Sequence, residues 1–397
     1  MDKKNFIPFA LPDIDEDDIK EVVDTLRSDW ITTGPKTALF EDIFSEYIGS
    51  KHALAVNSAT SGLHLALECV GIKPRDKVIT TPYTFAATAE VIRYFDADPV
   101  FIDINKNDYN IDPRKINEFC LRECVVRDRV LYHKKTNAPV KAVIPVHIGG
   151  CPCEMDEIGR IARRYHLKVI EDAAHALPSF FKGRKIGTIS DLTVFSFYAT
   201  KTITTAEGGM VVTDNPEYHK RMKVMRLHGI DRDVWGRHQD KRPGWYYEII
   251  EAGFKYNMTD VAASLGTRQL KKADLFHEKR KWIASAYNKG LKNIKGIRLP
   301  DCGKNTHSWH LYIIELDPGR FSRDDFISKL YEKNIGASVH FIPLHIQPYY
   351  RNKYNFAPMD FPAAYECYEK VVSLPIYTKL TEENVRRIID TIKELLS

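Results

Sequence analysis

The residues with the most chemistry in them lie between Asp172 and Met210. Lys201 sits in SFYATKTITTAEGGM (196–210), among Ser, Thr, Tyr and Gly, directly after the apolar run Leu192 to Phe197. A lysine so placed is poorly explained as a solvated surface charge. The chemical alternative is an amine nucleophile that makes a Schiff base with a carbonyl. Asp172 closes a second apolar run, LKVIEDA (167–173), where a carboxylate is partly desolvated and needs a cation or hydrogen-bond donors. A protonated pyridine nitrogen would be one such partner, a nearby arginine a purely structural one. His175, three residues on, can lie on the same side and donate to a ligand oxygen, although a lone histidine more often only packs and hydrogen-bonds. Ser196 is delivered beside Lys201 by the same apolar run.

A third stretch supplies a seat for an anion. NSATSG (57–62) joins a short strand, Ala53 to Val56, to a helix carrying Leu63, Leu65, Ala66, Leu67 and Val70. Small and hydroxylic residues at such a turn leave N–H groups free at the positive end of the helix, which suits phosphate. Simple N-capping by Ser58 or Thr60 accounts for the same residues. The glycine spacing and the Lys-Ser/Thr pair of a Walker loop are absent.

The elements that must position these residues follow from the hydrophobic pattern. Short apolar runs at 78–82, 99–104, 141–148 and 167–173 alternate with helices from about Phe85 to Phe95, from Pro113, and from Met155 to His166. Such alternation means βαβ units and a mostly parallel sheet flanked by helices. Ligands gather beyond the C-terminal ends of such strands, where Tyr83, Phe85, His147, Asp172 and His175 fall. A further strand is expected at 208–214, followed by a helix ending at Gly229.

At 397 residues the chain exceeds what one core supports. A large domain over 1–270, with an N-terminal segment, and a smaller C-terminal α/β domain over 271–397 are expected. The latter would hold a helix around 274–291, a strand at 309–316, a helix opened by Ser322, a strand ASVHF (337–341) and a last helix from Thr381. Ile19, Val22, Val23 and Leu26 fix an amphipathic helix over 15–27. SDWITTGPKT (28–37) reads as a surface loop, and the basic, aperiodic 119–139 stretch as a helix end plus a solvated loop. The aromatic and basic stretch 232–258 reads as a loop at a subunit or substrate contact.

Other classes of function find little support. A net charge of +5, with 44% apolar and 28% charged residues, gives no nucleic-acid partner. The N-terminus lacks an apolar signal region and no run is long enough for a bilayer, so a soluble, cytoplasmic protein without a membrane partner is expected. Seven cysteines without CxxC pairs read as reduced thiols. His340 and His345, five apart in VHFIPLH, do not suit a metal on a helix, and no metal site is expected.

The set NSATSGLHLAL, TPYTF, PVHIGG, EDAAHA, SFYATKTITTAEGGM, RLHGI, GFKYNMTD and VHF resembles, in order and spacing from Pro8 onward, the DegT/DnrJ/StrS sugar aminotransferases. The resemblance implies a fold-type I pyridoxal 5'-phosphate (PLP) enzyme. It makes Lys201 the lysine that holds the cofactor as a Schiff base and shuttles the proton, Asp172 the partner of the pyridine nitrogen, and His175 the contact to the ring oxygen. It gives Phe85 to the ring face, Ala59, Thr60 and Ser196 to the phosphate, and Asn257 to the phosphate of a neighbouring subunit, hence a homodimer with shared sites. Tyr83, Tyr198, His228 and His340 fall on the substrate side.

The implied reaction is ping-pong transamination, in which the amino donor L-glutamate leaves pyridoxamine phosphate (PMP) and a nucleotide-linked keto-sugar takes the amine. SDWITTGPKT, RLHGIDRDVWGR and GFKYNM look most like the branch that aminates the fourth carbon of UDP-keto-sugars for polysaccharide, lipopolysaccharide or glycan precursors. Two departures stand out. Many members read GYNYRM where this chain has GFKYNM, so Lys255 competes with Asn257 for the phosphate role. Tyr198 stands where many have His. A related sugar dehydratase branch carries His in place of the lysine, so Lys201 argues against it. The full residue set argues against a non-catalytic regulatory protein of the same fold.

Overall fold

The structure, a computed structural model, describes residues 5–231 and 245–396. The first half of the basic and aromatic stretch expected as a contact loop, residues 232–244, lies outside them.

Strands β1 (His52–Val56), β2 (Lys77–Thr80), β3 (Asp98–Phe101), β4 (Cys124–Arg127), β5 (Val130–His133), β6 (Pro139–Val143), β7 (Lys168–Asp172), β8 (Phe180–Phe181), β9 (Arg184–Lys185), β10 (Leu192–Ser196) and β11 (Gly209–Thr213) precede residue 214. All but β8 and β9, which form a small hairpin, join the large sheet, in the order β1-β11-β10-β7-β6-β2-β3 with β5 and β4 branching from β6. The inner pairs from β10 to β3 are parallel. The connection from β10 to β11 contains no crossover helix, so β11 returns antiparallel, and β1 pairs antiparallel with it. The central strands β10 and β11 are almost wholly buried along their length, as a sheet covered on both faces requires. Phe40, Phe44, Phe195 and Phe197 pack on one face, and Leu54, Leu63, Val194 and Val211 on the other.

The helix Ala59–Cys69 lies on that second face. Its approach is close at Gly62, where a Cβ would stand 2.8 Å from Val194 and 3.0 Å from Val211.

Past the helices Asp260–Lys271 and Ala273–Leu291 the strands β12 (Ile297–Arg298), β13 (Tyr312–Leu316) and β14 (Val371–Leu374) form a second, antiparallel sheet. Tyr287, Tyr312, Leu330, Val372 and Ile388 build its core, which also takes in Ile7 from the N-terminal segment. Gly336 N–H donates to the Ile7 carbonyl at 2.8 Å.

Four sequence expectations need correction. ASVHF is not a strand: Ser338 keeps a single bridge to Ser373, and the chain then leaves the sheet to carry His340 and Phe341 to a cavity, while the VVSL run supplies β14. The 119–139 stretch is not a helix end plus loop. The helix Pro113–Glu123 gives way to the β4–β5 hairpin, whose β5 pairs with β6; its alternation is masked because β4 is exposed along most of its length. The cysteines are not all reduced, since Cys151 and Cys302 form a disulfide, with Cα atoms 5.7 Å apart across a sequence separation of 151. Spacing cannot reveal so distant a pair. The other five are free. The expected loop at 28–37 also ends earlier, as Pro35 opens the helix Pro35–Ile48.

Candidate active site

A cavity of about 520 Å³ opens at the C-terminal ends of β7 and β10. It gathers Ala59, Thr60, Phe85, Asp172, His175, Ser196, Tyr198, Lys201 and His340, residues from widely separated parts of the chain.

At one wall the helix Ala59–Cys69 begins. Ser58 and Ser61 cap each other's backbone N–H groups, Ser58 Oγ accepting from Ser61 N–H at 3.1 Å and Ser61 Oγ from Ser58 N–H at 3.2 Å. The reciprocal cap leaves the N–H groups of Ala59 and Thr60 without an internal partner among the described residues. Both readings of NSATSG therefore hold at once: Ser58 caps the helix, and the next two residues offer donors at its positive end. Gly209 makes this possible. A Cβ there would lie 2.7 Å from the Ala59 nitrogen and 2.9 Å from the Phe195 carbonyl oxygen.

Asp172 emerges from β7 on the cavity side. Its Oδ2 accepts from Thr88 Oγ at 2.7 Å and its Oδ1 from Ala174 N–H at 3.1 Å. Burial raises its pKa, while Thr88, Ala174, Lys201 and His147 pull it back. No arginine pairs with it among the described residues, so the structural partner considered from the sequence is absent. Its neighbour Glu171 is fully buried and bonded to His147 Nε2 at 2.9 Å and Thr193 Oγ at 3.0 Å. This explains His147, which does not line the cavity.

His175 is held with a defined proton position. Gly149 N–H donates to its Nδ1 at 3.3 Å, so the neutral ring carries its proton on Nε2. Ser308 Oγ donates to its carbonyl at 2.5 Å, and its ring packs on Phe341, with centroids 5.8 Å apart and planes 9° from parallel. Burial, reinforced by Lys201, drives its pKa well below the usual imidazole value, and the ring stays neutral.

Lys201 follows β10 in the turn where its N–H donates to the Tyr198 carbonyl at 2.9 Å. Burial lowers its pKa to about 8, against a smaller opposing pull from Asp172. Phe85 caps the helix Ala86–Arg93 and is 66% exposed, an apolar ring face offered to the cavity rather than to the core. His340 Nδ1 hydrogen-bonds Ser373 Oγ at 2.9 Å, and burial, then Lys201, lowers its pKa to about 4.

Three expected site residues stand elsewhere. Tyr83 is fully buried outside the cavity wall, its hydroxyl donating to the His340 carbonyl at 2.7 Å. His228 is exposed on a turn. Asn257 donates to Thr33 Oγ at 2.6 Å and pairs with Val56, outside the cavity of its own chain, as is the exposed Lys255. Sequence reasoning missed Thr88, His310, Phe341 and Glu207 in or behind the wall. Thr88 alone carried a signal, since Thr84 and Thr88 lie four apart at the start of a helix, on one face.

These groups fit a phosphorylated pyridine. The helix start and Ser196 answer a phosphate, Asp172 a ring nitrogen, Phe85 a ring face and Lys201 an aldehyde. A mostly parallel sheet with this site at its strand ends, joined to a smaller α/β unit, defines a fold-type I PLP enzyme.

Comparison with known proteins agrees. The chain belongs to the DegT/DnrJ/EryC1/StrS aminotransferase family, which it matches over residues 12–393. It is 51% identical over 400 residues to the protein MJ1066 of Methanocaldococcus jannaschii, covering 100% of this chain and 99% of that one. The spore coat polysaccharide biosynthesis protein SpsC of Bacillus subtilis is 42% identical over 400 residues, covering 99% and 98%. Among solved structures, the sugar aminotransferase Spr1654 of Streptococcus pneumoniae, in its PMP form, superposes with a TM-score of 0.88 at 33% identity, covering 98% of both chains. The family is PLP-dependent, so the expected enzyme class, fold and cofactor hold. Among the described residues no helix is long and apolar enough to cross a membrane, and no metal-binding cluster occurs.

Proposed function

We propose that the protein moves an amino group from L-glutamate to the fourth carbon of a UDP-linked keto-sugar, as a cytoplasmic homodimer supplying precursors of a polysaccharide, lipopolysaccharide or other glycan. The observation that carries the chemistry is one cavity holding Lys201, with its lowered pKa, beside Asp172, whose oxygens are already oriented by Thr88 and Ala174.

When bound, PLP supplies the electron sink that makes a carbon–hydrogen bond beside nitrogen acidic. The chain does the rest. Ala59, Thr60 and Ser196 hold the phosphate, and Phe85 covers the ring. Asp172, whose anionic form its two donors favour against burial, would hold a proton on the ring nitrogen. His175 offers Nε2–H to the ring oxygen. Lys201 is the residue that would hold the aldehyde through Nζ, and its free amine would take a proton at Nζ from the donor carbon and give one to the sugar carbon. A pKa near 8 suits both directions at neutral pH. Tyr198 and His340 face the same cavity and take the substrate side, with Tyr83 supporting His340 from behind and His228 reaching substrate from outside. Asn257, outside its own cavity, suits a place in the partner's site, with Lys255 as the competing residue.

The sugar and the ring position rest on the likeness of SDWITTGPKT, RLHGIDRDVWGR and GFKYNM to the UDP-4-keto branch, and the pathway on the likeness to SpsC. The test is to incubate the enzyme with L-glutamate and UDP- or dTDP-linked 4-keto and 3-keto sugars and follow 2-oxoglutarate. Formation with UDP-4-keto-sugars is expected. Preference for a 3-keto or dTDP-linked sugar would overturn the specificity, and undiminished turnover in Lys201→Ala the mechanism.

A further inference from the structure

Two buried nitrogens at the back of the cavity lack partners, Arg280 Nε and His310 Nδ1, and their residues are neighbours. Arg280, 3% exposed, comes from the long helix Ala273–Leu291. Its Nη1 donates to the carbonyls of Trp309 at 3.2 Å, His310 at 3.5 Å and Ile376 at 2.7 Å. Its Nε is buried without a partner, and no acid pairs with it among the described residues. His310, 7% exposed, has a buried Nδ1 that is likewise unpartnered. His310 and Ile376, whose carbonyls Arg280 holds, both line the cavity.

A guanidinium taken out of water without a counter-charge is costly. Carbonyl dipoles relieve that cost only in part, and an unsatisfied buried nitrogen beside it calls for its own account. The acids of the cavity do not answer either need. Asp172 is engaged by Thr88 and Ala174, and Glu207 is exposed. The wall is therefore electropositive and short of one anion. The imidazole itself is neutral, since burial and the nearby cations Lys201 and Arg280 oppose its protonation, so it has one N–H to give; Nδ1 is closed off from solvent, and the N–H that a cavity ligand can reach is the one on Nε2.

We propose that His310, backed by Arg280, is the seat for a carboxylate of the amino donor. The proposal rests on the aminotransferase reading above and adds where the donor is recognised. The cofactor phosphate has its own seat at the start of the helix Ala59–Cys69, on a different wall element. The His310 N–H binds the donor carboxylate, a charge-assisted contact. Arg280 acts through the backbone and through its field, as a positioning residue that keeps this wall favourable to an anion.

The test uses the holoenzyme and two probes, glutarate and UDP, each titrated by calorimetry. His310→Phe keeps a flat ring and removes the donor; Arg280→Lys keeps the charge, and Arg280→Met removes it. In His310→Phe, glutarate binding should weaken by about 10- to 100-fold and the KM for L-glutamate should rise in parallel. UDP binding, the KM for the keto-sugar and the visible spectrum of the cofactor should not change. Arg280→Met should weaken glutarate and Arg280→Lys largely restore it. A change in glutarate affinity below about 3-fold in His310→Phe, or an equal loss of UDP binding, would overturn the assignment. Should wild-type protein bind glutarate through His310 yet transfer no amine, the aminotransferase reading fails while the carboxylate seat stands.

Discussion

The lowered pKa of Lys201 makes a quantitative prediction for the cofactor-free protein. An ordinary lysine titrates at 10.5, and burial brings Lys201 to about 8. At about pH 7.5 roughly a quarter of Lys201 is then uncharged, against roughly one part in a thousand for a surface lysine, a reactivity advantage of about 200-fold. The same shift costs about 3 kcal/mol of stability where the lysine is charged in both the folded and the unfolded chain. The folded amine loses its proton first, so between about pH 8 and 10.5 the unfolded state binds more protons and stability rises with pH; below about pH 8 the cost is fully present. Asp172 is the carboxylate that props the pKa up, so Asp172→Asn should move it further down. The assay is the pH dependence of Lys201 labelling by an amine-reactive reagent, read by peptide mass spectrometry on apoprotein. A midpoint near that of an ordinary lysine in the wild type, or an upward movement in Asp172→Asn, would refute the argument.

Three further outcomes follow from the same geometry. Thr88→Val keeps shape but removes the 2.7 Å hydrogen bond to Asp172; a donor to a charged group is worth about 1.5–3 kcal/mol, so the carboxylate pKa should rise and the acid limb of kcat/KM should move to higher pH, an unmoved limb counting against the role of Asp172. Gly209→Ala forces a Cβ against the Ala59 nitrogen and Phe195 oxygen and should cost about 1–3 kcal/mol, visible as a lower urea midpoint together with weaker PLP binding. Unreduced protein should yield five alkylatable thiols after unfolding, and replacing Cys151 and Cys302 together by alanine should remove about 2–4 kcal/mol, measured in guanidinium.

The site residues nearest the chemistry were legible because each ends a local pattern. Asp172 and Ser196 terminate apolar runs, and in a parallel sheet the end of a run is an address: the ends of β7 and β10 are adjacent because β7 pairs with β10. Lys201 and the NSATSG turn could be read for the same reason. Residues whose role depends on long-range contact carried no such mark. Cys151 meets Cys302 only because the turn after β6 lies against the segment before β13, and Gly150 and Ser308 share a backbone hydrogen bond there. The β4–β5 hairpin escaped notice because its exposed face has no apolar alternation to detect, and ASVHF was over-read because an apolar alternation served a cavity wall instead of a ladder. His310 is the sharpest case. Within WHLYIIEL it is one polar residue opening a strand, indistinguishable from a packed histidine. Only the burial of Arg280 behind its carbonyl, with no acid to match, gives it a chemical meaning. A site is thus readable from sequence as far as strand ends and helix starts define it; its charge balance is settled by side chains meeting across the two units, and there the sequence order is silent.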